Sequence, residues 1–418
     1  MRPALTARRR SSGVCFPQGF LGAGVAAGIK RSGRNDIALV LSEKLCPVAG
    51  TFTTNRLKAA PVLFDLRRIR LGLVRGIVVN SGNANACTGA TGLRNTVAMS
   101  ELASRITARL GWSHGKRAFL VCSTGRIGRQ LPMEKVTRGI HQAAAALSRD
   151  GRSAAEAIMT TDTCVKQVAT EIHLDGRPVR IGGMAKGAGM IYPNMNSSGK
   201  PPTRHATMLC VLTTDAAMQK NLMQACLDRA VGQSFNRITV DGDTSTNDTV
   251  LFLANGLAGN RALRTGSANH RRFQEALNEV TRSLALMIVQ DGEGTSRVVT
   301  LEVQGARSAA DAEQAARAIG NSILVKCSWG GGDPNWGRIW DAIGYSGAHF
   351  DPARFSLCYN GIPLVRNGLQ LDNQLRVVHR IVLRSSFTIT CNLGLGKHQA
   401  TFYTTDLTEK YVELNKAE

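Results

Sequence analysis

The chain has 418 residues, of which 43% are hydrophobic and 20% charged, and its formal net charge is +22. This length allows two or more layers that each bury a core, and the composition is that of a soluble globular protein. No window approaches the roughly 20 consecutive apolar residues that are needed to cross a bilayer. Lys and Arg are spread along the whole chain and aromatic residues make up 5%, which disfavours a nucleic-acid surface with interleaved aromatics.

Regular elements can be predicted along most of the chain from the periodicity of its apolar residues. Helical periodicity predicts helices over residues 95–110, 133–147, 218–231, 272–289 and 309–319. Short β-branched runs predict strands over residues 76–80, 118–122, 208–213, 238–240, 250–253, 298–303 and 387–391. Strands and helices alternate without a regular βαβ period, which favours a layered α/β or α+β fold over a doubly wound sheet.

The ten cysteines are widely separated, and they form neither a CxxC pair nor a Cys/His cluster with zinc spacing. We therefore expect small buried thiols in a reducing compartment, with no disulfide framework and no metal site. Residues 1–34 are basic and contain no acid, as in a transit peptide. The stretch is short, so we expect residues 1–12 to be a disordered tail and the protein to be cytoplasmic, with the mitochondrial matrix as the alternative.

A loop rich in Ser, Gly and Pro occupies Asn196 to His205 (NSSGKPPTRH) and runs directly into Ala206-Thr207-Met208, where a strand begins. Such a loop is expected to be exposed and mobile. A flexible segment leading into a strand that starts with a hydroxyl residue is the arrangement expected at a processing site.

Thr207 is a candidate nucleophile because peptide cleavage would make it N-terminal. A hydroxyl nucleophile needs a base and a place for the oxyanion, and no GxSxG elbow is present to position a serine. Of the eight histidines, only His205 lies in a segment that resembles a site. An N-terminal threonine needs no histidine, since its own α-amino group, with a pKa near ~8, can serve as the base.

Two other motifs are better explained as tight turns around a site. The glycine-rich run 183–189 lacks the GKS/T ending of a phosphate loop and the spacing of a dinucleotide site. Asp241, Asp243 and Asp248 suggest a calcium loop, but the Gly and terminal Glu positions do not fit.

The segment IGGMAKGAGMIYPNM at 181–195, followed by ATML at 206–209, closely resembles the ornithine acetyltransferase (bifunctional glutamate N-acetyltransferase) family. The resemblance runs in the same order from about Gly13 to the C-terminus. Its other blocks are GAGVAAGIK (22–30), TFTTNR (51–56), NSGNANA (80–86), STG (123–125), AIMTTDT (157–163), TVDGDTSTND (239–248), DGEG (291–294) and DPNWGR (333–338).

The resemblance implies roles for individual residues. The Ala206–Thr207 bond would be cut autocatalytically into an α chain (1–206) and a β chain (207–418), with Thr207 as nucleophile. The Thr124 hydroxyl and the Gly125 N–H would form the oxyanion hole. Charge-assisted contacts would hold an amino-acid substrate through its carboxylate and amine, and the implied substrate-binding residues are Thr160, Thr161, Lys186, Thr207, Glu293 and Asn415.

The resemblance also implies a fold, a reaction and an assembly. The fold would be an α/β layered sandwich resembling the DmpA aminopeptidase, and two α and two β chains would form a heterotetramer. The enzyme would be an acyltransferase of arginine biosynthesis that moves acetyl from N2-acetylornithine to L-glutamate through an acetyl-threonine intermediate. It would need no cofactor, metal, nucleic acid or membrane. Use of acetyl-CoA as a second donor and feedback by arginine stay open.

The sequence departs from the family pattern at two places. The ten residues Asn196 to His205 are inserted where the family continues directly into the cleavage motif, and the chain stops at Glu418, before the family's terminal hydroxyl residue. Three alternatives therefore stay open: a self-processing hydrolase or aminopeptidase, a secondary-metabolism acetyltransferase on the same scaffold, and an uncleaved binding protein. Salt-dependent RNA binding by intact chains would favour the last.

Overall fold

The computed structural model describes residues 13–112, 115–116, 118–198 and 208–416. The chain forms two compact units, Met1–Asn236 with Asp243–Ile288, and Arg237–Gly242 with Val289–Glu418. The predicted tail (1–12) and the predicted cleavage site, Ala206-Thr207, lie outside the described residues. This spatial division differs from the predicted covalent one, because the first unit has described residues on both sides of Thr207.

The first unit contains a four-stranded and a six-stranded sheet. The four-stranded sheet has the order β1-β2-β4-β5, with β1 (Phe20–Val25), β2 (Ile37–Cys46), β4 (Val74–Asn83) and β5 (Phe119–Arg126). The six-stranded sheet has the order β6-β7-β9-β10-β3-β8, with β3 (Val48–Thr53), β6 (Lys166–Leu174), β7 (Arg177–Lys186), β8 (Met195–Asn196), β9 (Leu209–Thr214) and β10 (Thr249–Ala254).

These two sheets pack face to face because their strands are apolar on both faces. One core cluster contains Val79 and Cys122 of the four-stranded sheet together with Val211 and Leu251 of the six-stranded sheet. The helices of this unit are α1 (Ala60–Arg68), α2 (Gly89–Arg109), α3 (Met133–Ala145), α4 (Arg152–Ala157), α5 (Lys220–Gln233) and α6 (Ala268–Gln290). A second cluster joins the other face of the four-stranded sheet to three helices, α1, α2 and α3.

Helices also cover the outer face of the six-stranded sheet. Phe252 of β10 stacks on Phe273 of α6, with ring centroids 6.4 Å apart. The Gln274 side chain of α6 donates to the Cys226 carbonyl of α5 at 3.1 Å, and Gln224 of α5 bonds the Gly50 backbone in β3. The first unit is therefore a helix–sheet–sheet–helix sandwich, which confirms the predicted layered α/β fold.

The second unit is built on one six-stranded sheet with the order β14-β13-β12-β15-β11-β16. Trp329 and Phe387 meet edge to face in its core, 6.2 Å apart. Its strands are β11 (Val298–Ala306), β12 (Ser356–Tyr359), β13 (Ile362–Arg366), β14 (Leu369–Gln370), β15 (Ser386–Asn392) and β16 (His398–Thr405). Its helices are α7 (Ala309–Asn321), α8 (Ile323–Gly330), α9 (Trp336–Gly344), α10 (Leu375–Val382) and α11 (Glu409–Asn415).

All five predicted helices are present as α2, α3, α5, α6 and α7, and six of the seven predicted strands are present. The strand predicted at 238–240 is wrong. Ile238 forms only an isolated bridge to Tyr403, the Thr239 hydroxyl bonds Asn321, and the chain then turns at Gly242 with φ +77°. None of the described helices is both long and apolar enough to span a membrane.

The expectation that the cysteines are buried is only partly correct. Six of them are buried, Cys358 is half-buried, and Cys87, Cys164 and Cys327 are exposed. Cys87 and Cys164 lie in loops, and Cys327 lies in α8. The three exposed cysteines lie in loops or on the exposed side of a helix, where apolar neighbours in the sequence do not determine burial.

Near the end of the parallel pair β4–β5, Gly82 lies opposite Gly125. Gly125 has φ +128°, and a Cβ there would lie 2.4 Å from the Gly82 carbonyl carbon and 2.5 Å from the Asn83 nitrogen. Only glycine fits so close an approach of two backbones. The end of β5 therefore cannot carry a side chain at this position.

We expect Gly125→Ala to lower the free energy of unfolding by about 2 kcal/mol or more, because backbone strain adds to a contact that cannot relax. Urea unfolding would measure the loss. Gly128→Ala is the matched control, since Gly128 also has a positive φ (+81°) but no atom lies within 4 Å of its Cβ position. Equal losses in the two variants would contradict the close-approach argument.

Candidate active site

Thr124 lies near the carboxyl end of β5, and its strand end is held in place by buried polar contacts. The preceding residue, Ser123, donates its hydroxyl to Asn80 at 2.6 Å, and its carbonyl accepts the Asn247 amide at 2.8 Å. Thr124 is only 1% exposed, whereas Gly125 is exposed. The strand therefore carries a buried hydroxyl to the point where the backbone reaches solvent.

The residue after the predicted nucleophile is tied to the same segment. The Met208 N–H donates to the fully buried Asp248 carboxylate, and Asp248 directly follows Asn247, which binds the Ser123 carbonyl. Thr207 itself lies outside the described residues. One short loop therefore holds both sides of the site: its Asn247 binds Ser123, the residue before Thr124, and its Asp248 binds Met208, the residue after Thr207.

Lys186 lies at the end of β7 and reaches Thr124. In the antiparallel pair β7–β9, Lys186 is opposite Leu209, two residues after Thr207. Its ammonium lies 3.3 Å from the Thr124 hydroxyl oxygen and 4.0 Å from Oδ2 of Asp162. Both the Lys186 and Asp162 side chains are almost completely buried. The six-stranded sheet thus brings a buried cation to the hydroxyl carried by the four-stranded sheet.

Asp162 lies at the centre of this cluster. Its Oδ1 accepts from the Lys166 ammonium at 2.7 Å and from the Gly187 N–H at 2.7 Å. Its Oδ2 accepts from the Thr160 N–H at 2.9 Å. One carboxylate therefore fixes the loop after α4, the start of β6 and the end of β7.

The charges of the cluster shift the pKa values of its members. Burial alone would raise the pKa of Asp162, but Lys186, Lys166 and the Gly187 N–H together lower it to about 2. The pKa of nearby Lys30 is lowered to about 8, chiefly by burial, with Asp36 and Asp162 opposing the shift and Arg34 and Lys186 adding to it. Asp162 is therefore ionised at every pH at which the protein would be assayed.

The structure brings only some of the predicted site residues together. Thr160 is half-buried and is linked to Lys186 through Asp162, while Thr161 is exposed. Glu293 and Asn415 belong to the second unit, where the Asn415 amide donates to the Glu293 carboxylate at 3.0 Å. Their roles, like those of Thr207, Thr124 and Gly125, stay predictions.

The Glu293 loop has its own supports within the second unit. Gly294 has φ +68°, and a Cβ there would lie 2.4 Å from the Tyr411 nitrogen of α11. The Thr408 hydroxyl donates to the Gly294 carbonyl at 2.7 Å. The loop and α11 are therefore packed backbone to backbone, which is what places Asn415 beside Glu293.

Asp162, Lys166, Asn247 and Asp248 were missed as site residues by the sequence analysis. Asp162 stands next to two predicted residues in the TTDT run, and this position was the only sequence signal for it, because its four-residue separation from Lys166 indicates pairing only within a helix. Within the described residues, no group of three or more His, Cys, Asp or Glu side chains lies close enough to hold a metal ion.

The low pKa of Asp162 predicts a specific pH dependence of stability. A carboxylate whose pKa falls from 3.8 to about 2 on folding stabilises the fold above about pH 4, and this contribution, about 2 kcal/mol, is lost as the pH falls towards 2. The difference in unfolding free energy between the parent and Asp162→Asn should therefore shrink by about that amount between pH 5 and pH 2. A difference that does not change with pH would contradict the ionised buried carboxylate.

Comparison with known proteins extends over almost the whole chain. A profile of the ArgJ family matches residues 22–417. The arginine biosynthesis bifunctional protein ArgJ of Symbiobacterium thermophilum is 46% identical over 410 residues, covering 97% of this chain and 98% of the relative. The mitochondrial protein of the same name from Heterostelium pallidum is 40% identical over 422 residues, covering 96% of this chain and 93% of the relative.

Among solved structures, ornithine acetyltransferase from Mycobacterium tuberculosis, crystallised with ornithine, is 45% identical. It covers 44% of this chain and 97% of that one, with a TM-score of 0.42. The family profile and the near full-length relatives agree with the blocks that run through this sequence in order. The chain belongs to the ArgJ family.

Proposed function

We propose that this chain transfers an acetyl group from N2-acetylornithine to L-glutamate through an acetyl ester on Thr207. Relatives named arginine biosynthesis bifunctional protein ArgJ, 46% identical over nearly their whole length, make the chain an acyltransferase of arginine biosynthesis. The identities of the donor, the acceptor and the nucleophile are what we propose beyond that class.

The observation that carries the proposal is the buried Thr124 hydroxyl next to the segment that follows Thr207. Thr124 is held by β5, and Met208 is held by Asp248, while Asn247 binds the residue before Thr124. A nucleophile and an oxyanion donor must lie within a few ångströms of one carbonyl group. The loop 247–248 supports that proximity through contacts on both sides.

Processing would first convert Thr207 into an N-terminal residue. Hydrolysis of the Ala206–Thr207 bond leaves a carboxylate on Ala206 and a free α-amine on Thr207. In its neutral form this amine accepts the hydroxyl proton of Thr207, so that the oxygen can attack a carbonyl carbon. No histidine is required for this step.

Acetyl transfer then proceeds in two halves. The Thr207 oxygen attacks the acetyl carbonyl of N2-acetylornithine, and the oxyanion is stabilised by the Thr124 hydroxyl and the Gly125 N–H. The C–N bond breaks, ornithine leaves with the proton that the Thr207 amine had taken, and the acetyl group stays on the Thr207 oxygen. The neutral amine of glutamate attacks this ester, which yields N-acetylglutamate and restores the Thr207 hydroxyl.

Substrate binding is assigned to five residues besides the nucleophile. Thr160, Thr161 and Lys186 of the first unit and Glu293 and Asn415 of the second keep the roles implied by the family resemblance. Lys186 offers a cation for a carboxylate, and Glu293 offers an anion for an amine. No cofactor takes part, and acetyl-CoA would act, if used, only as a second acetyl donor.

Intact-mass measurement of the purified parent and of Thr207→Ala tests the processing step. We expect two fragments that divide between Ala206 and Thr207 in the parent, and a single chain of 44.8 kDa in the variant. Thr207→Ser, which keeps a hydroxyl, is the matched control and should still be cut. An uncut parent would remove the amine base and with it the mechanism.

The transfer step is tested on the processed enzyme with N2-acetylornithine and isotope-labelled glutamate. Labelled N-acetylglutamate that appears only when both substrates are present supports transfer, whereas free acetate released without glutamate identifies a hydrolase. Replacement of N2-acetylornithine by acetyl-CoA shows whether the enzyme uses both donors.

The proposal also covers assembly and location in the cell. We expect an assembly of two α and two β chains, and native mass spectrometry of the processed enzyme would show its mass; an αβ pair alone would contradict it.

We place the protein in the cytoplasm, with the mitochondrial matrix as the alternative because a relative is named mitochondrial. Subcellular fractionation of the source cells separates the two.

A further inference from the structure

The contact between Lys186 and Thr124 determines the direction of a hydrogen bond. The Lys186 ammonium lies 3.3 Å from the Thr124 hydroxyl oxygen. An ammonium group has donors and no acceptor, so Thr124 can only accept in this contact. The hydroxyl hydrogen of Thr124 must then point elsewhere, and among the described residues Thr124 donates no hydrogen bond of its own.

We infer that Lys186 is a positioning residue for the oxyanion hole: it fixes the Thr124 hydroxyl as a donor, and Asp162 holds Lys186 in place for this task. The inference rests on the proposed function, because it takes Thr124 to be an oxyanion donor. It adds to the implied role of Lys186 as a substrate ligand a second role that acts through Thr124.

The physical reason is that a hydroxyl is a rotor, unlike a backbone N–H. Left alone, its hydrogen samples several directions, and only one of them points at a developing oxyanion. A cation on the lone-pair side of the hydroxyl oxygen prevents the hydrogen from pointing in that direction. It also polarises the O–H bond, which strengthens the hydrogen bond that the hydroxyl donates to an oxyanion. Thr124 and Lys186 are 1% and 3% exposed, so water screens this effect little.

Asp162 is placed to hold the Lys186 ammonium near Thr124 without taking it away from the Thr124 hydroxyl. Its Oδ1 is held by Lys166 and by the Gly187 N–H, both at 2.7 Å, so the carboxylate cannot turn freely. Its Oδ2 lies 4.0 Å from the Lys186 ammonium, farther than the 3.3 Å contact with Thr124. The ion pair steers the ammonium while the shorter contact goes to the hydroxyl.

A double-mutant cycle between Lys186 and Thr124 separates the two roles. Lys186→Met removes the charge at similar length, and Thr124→Val removes the hydroxyl at similar shape. The readout is the rate at which Thr207 becomes acetylated by saturating N2-acetylornithine in a single turnover, followed by intact mass. Loss of one oxyanion donor slows such a step by about 10²–10³-fold, which mass measurement over hours can follow.

We expect Lys186→Met to slow acetylation by roughly 30-fold or more in the parent and by less than roughly 3-fold in the Thr124→Val background. The same factor in both backgrounds would overturn the inference, because a lysine that only binds substrate acts whether or not Thr124 has a hydroxyl. Lys166→Met tests the same coupling from the other side of Asp162: it should also slow acetylation more in the parent than in the Thr124→Val background, because without Lys166 the Lys186 ammonium is drawn towards Asp162 and away from Thr124.

Asp162 is tested by a charge-balanced pair of variants. Asp162→Asn leaves Lys166 and Lys186 buried without their carboxylate, so it should lower the melting temperature as well as the rate. Adding Lys166→Met restores the balance and should recover much of the melting temperature. If Asp162 anchors Lys186, the acetylation rate stays low in the double variant; recovery of the rate along with stability would show that Asp162 only balances charge.

A variant that fails to cut itself would lack an N-terminal Thr207, so cleavage has to be separated from acetylation. If a variant stays uncut, the residues 1–206 and the residues from Thr207 onwards are produced together from separate genes, so that Thr207 is N-terminal without autocleavage. The parent made in this way must reproduce the rate of the self-processed parent. A parent that forms no acetyl-Thr207 contradicts the proposed function, whereas an acetylating parent with equal factors in the cycle contradicts only the role of Lys186.

Discussion

The interaction on which the candidate site depends is the buried carboxylate of Asp162 with two lysines. A single Asp–Lys contact in a protein interior is a weak source of stability, because desolvation of the charges offsets their attraction. Here the carboxylate also accepts two backbone N–H groups, from Thr160 and Gly187, so its lone pairs are well satisfied. The benefit of such a cluster is positional, since it joins a loop and two strands at one point.

The sandwich then determines which strands meet at this point. The four-stranded sheet contributes Thr124 and the six-stranded sheet contributes Lys186 and the strand that follows Met208. The apolar cluster between the sheets contains residues of both, such as Cys122 and Leu209, two positions from Thr124 and Thr207 respectively. A well-packed core resists compression and slippage, so the spacing of the polar groups follows from the packing beside them.

Sequence reasoning found the parts of this fold that carry a strong local pattern. Helix α3 (Met133–Ala145) has a clear apolar stripe, and its predicted start is correct. Strand β1 was missed because its sequence, FLGAGV, is rich in glycine. Those glycines serve a contact that no local pattern shows: a Cβ on Gly24 would lie 1.8 Å from the Ser153 carbonyl. The segment forms a strand because of its tertiary contacts and not because of its local propensity.

The candidate site was predictable only where a motif could be compared with a family. Thr124 and Lys186 came from that resemblance, and the structure places them in contact. Asp162 and Asn247 came from neither periodicity nor composition, because Asp162 joins its local partners to Gly187, 25 residues away, and the acceptors of the Asn247 side-chain amide are more distant still. Asn247 binds the Ser123 carbonyl, 124 residues away, and such a pairing exists only once two sheets have packed.

The arrangement also explains why Lys166 is needed beside Lys186. Without Lys166, Oδ1 of Asp162 would lose its ammonium partner, and attraction would draw the Lys186 ammonium closer to the carboxylate and away from Thr124. With Lys166 bound to Oδ1 at 2.7 Å, the carboxylate is partly neutralised and fixed, and Lys186 stays at 4.0 Å. The two lysines thus have different roles: Lys166 restrains the Asp162 carboxylate, and Lys186 contacts the Thr124 hydroxyl.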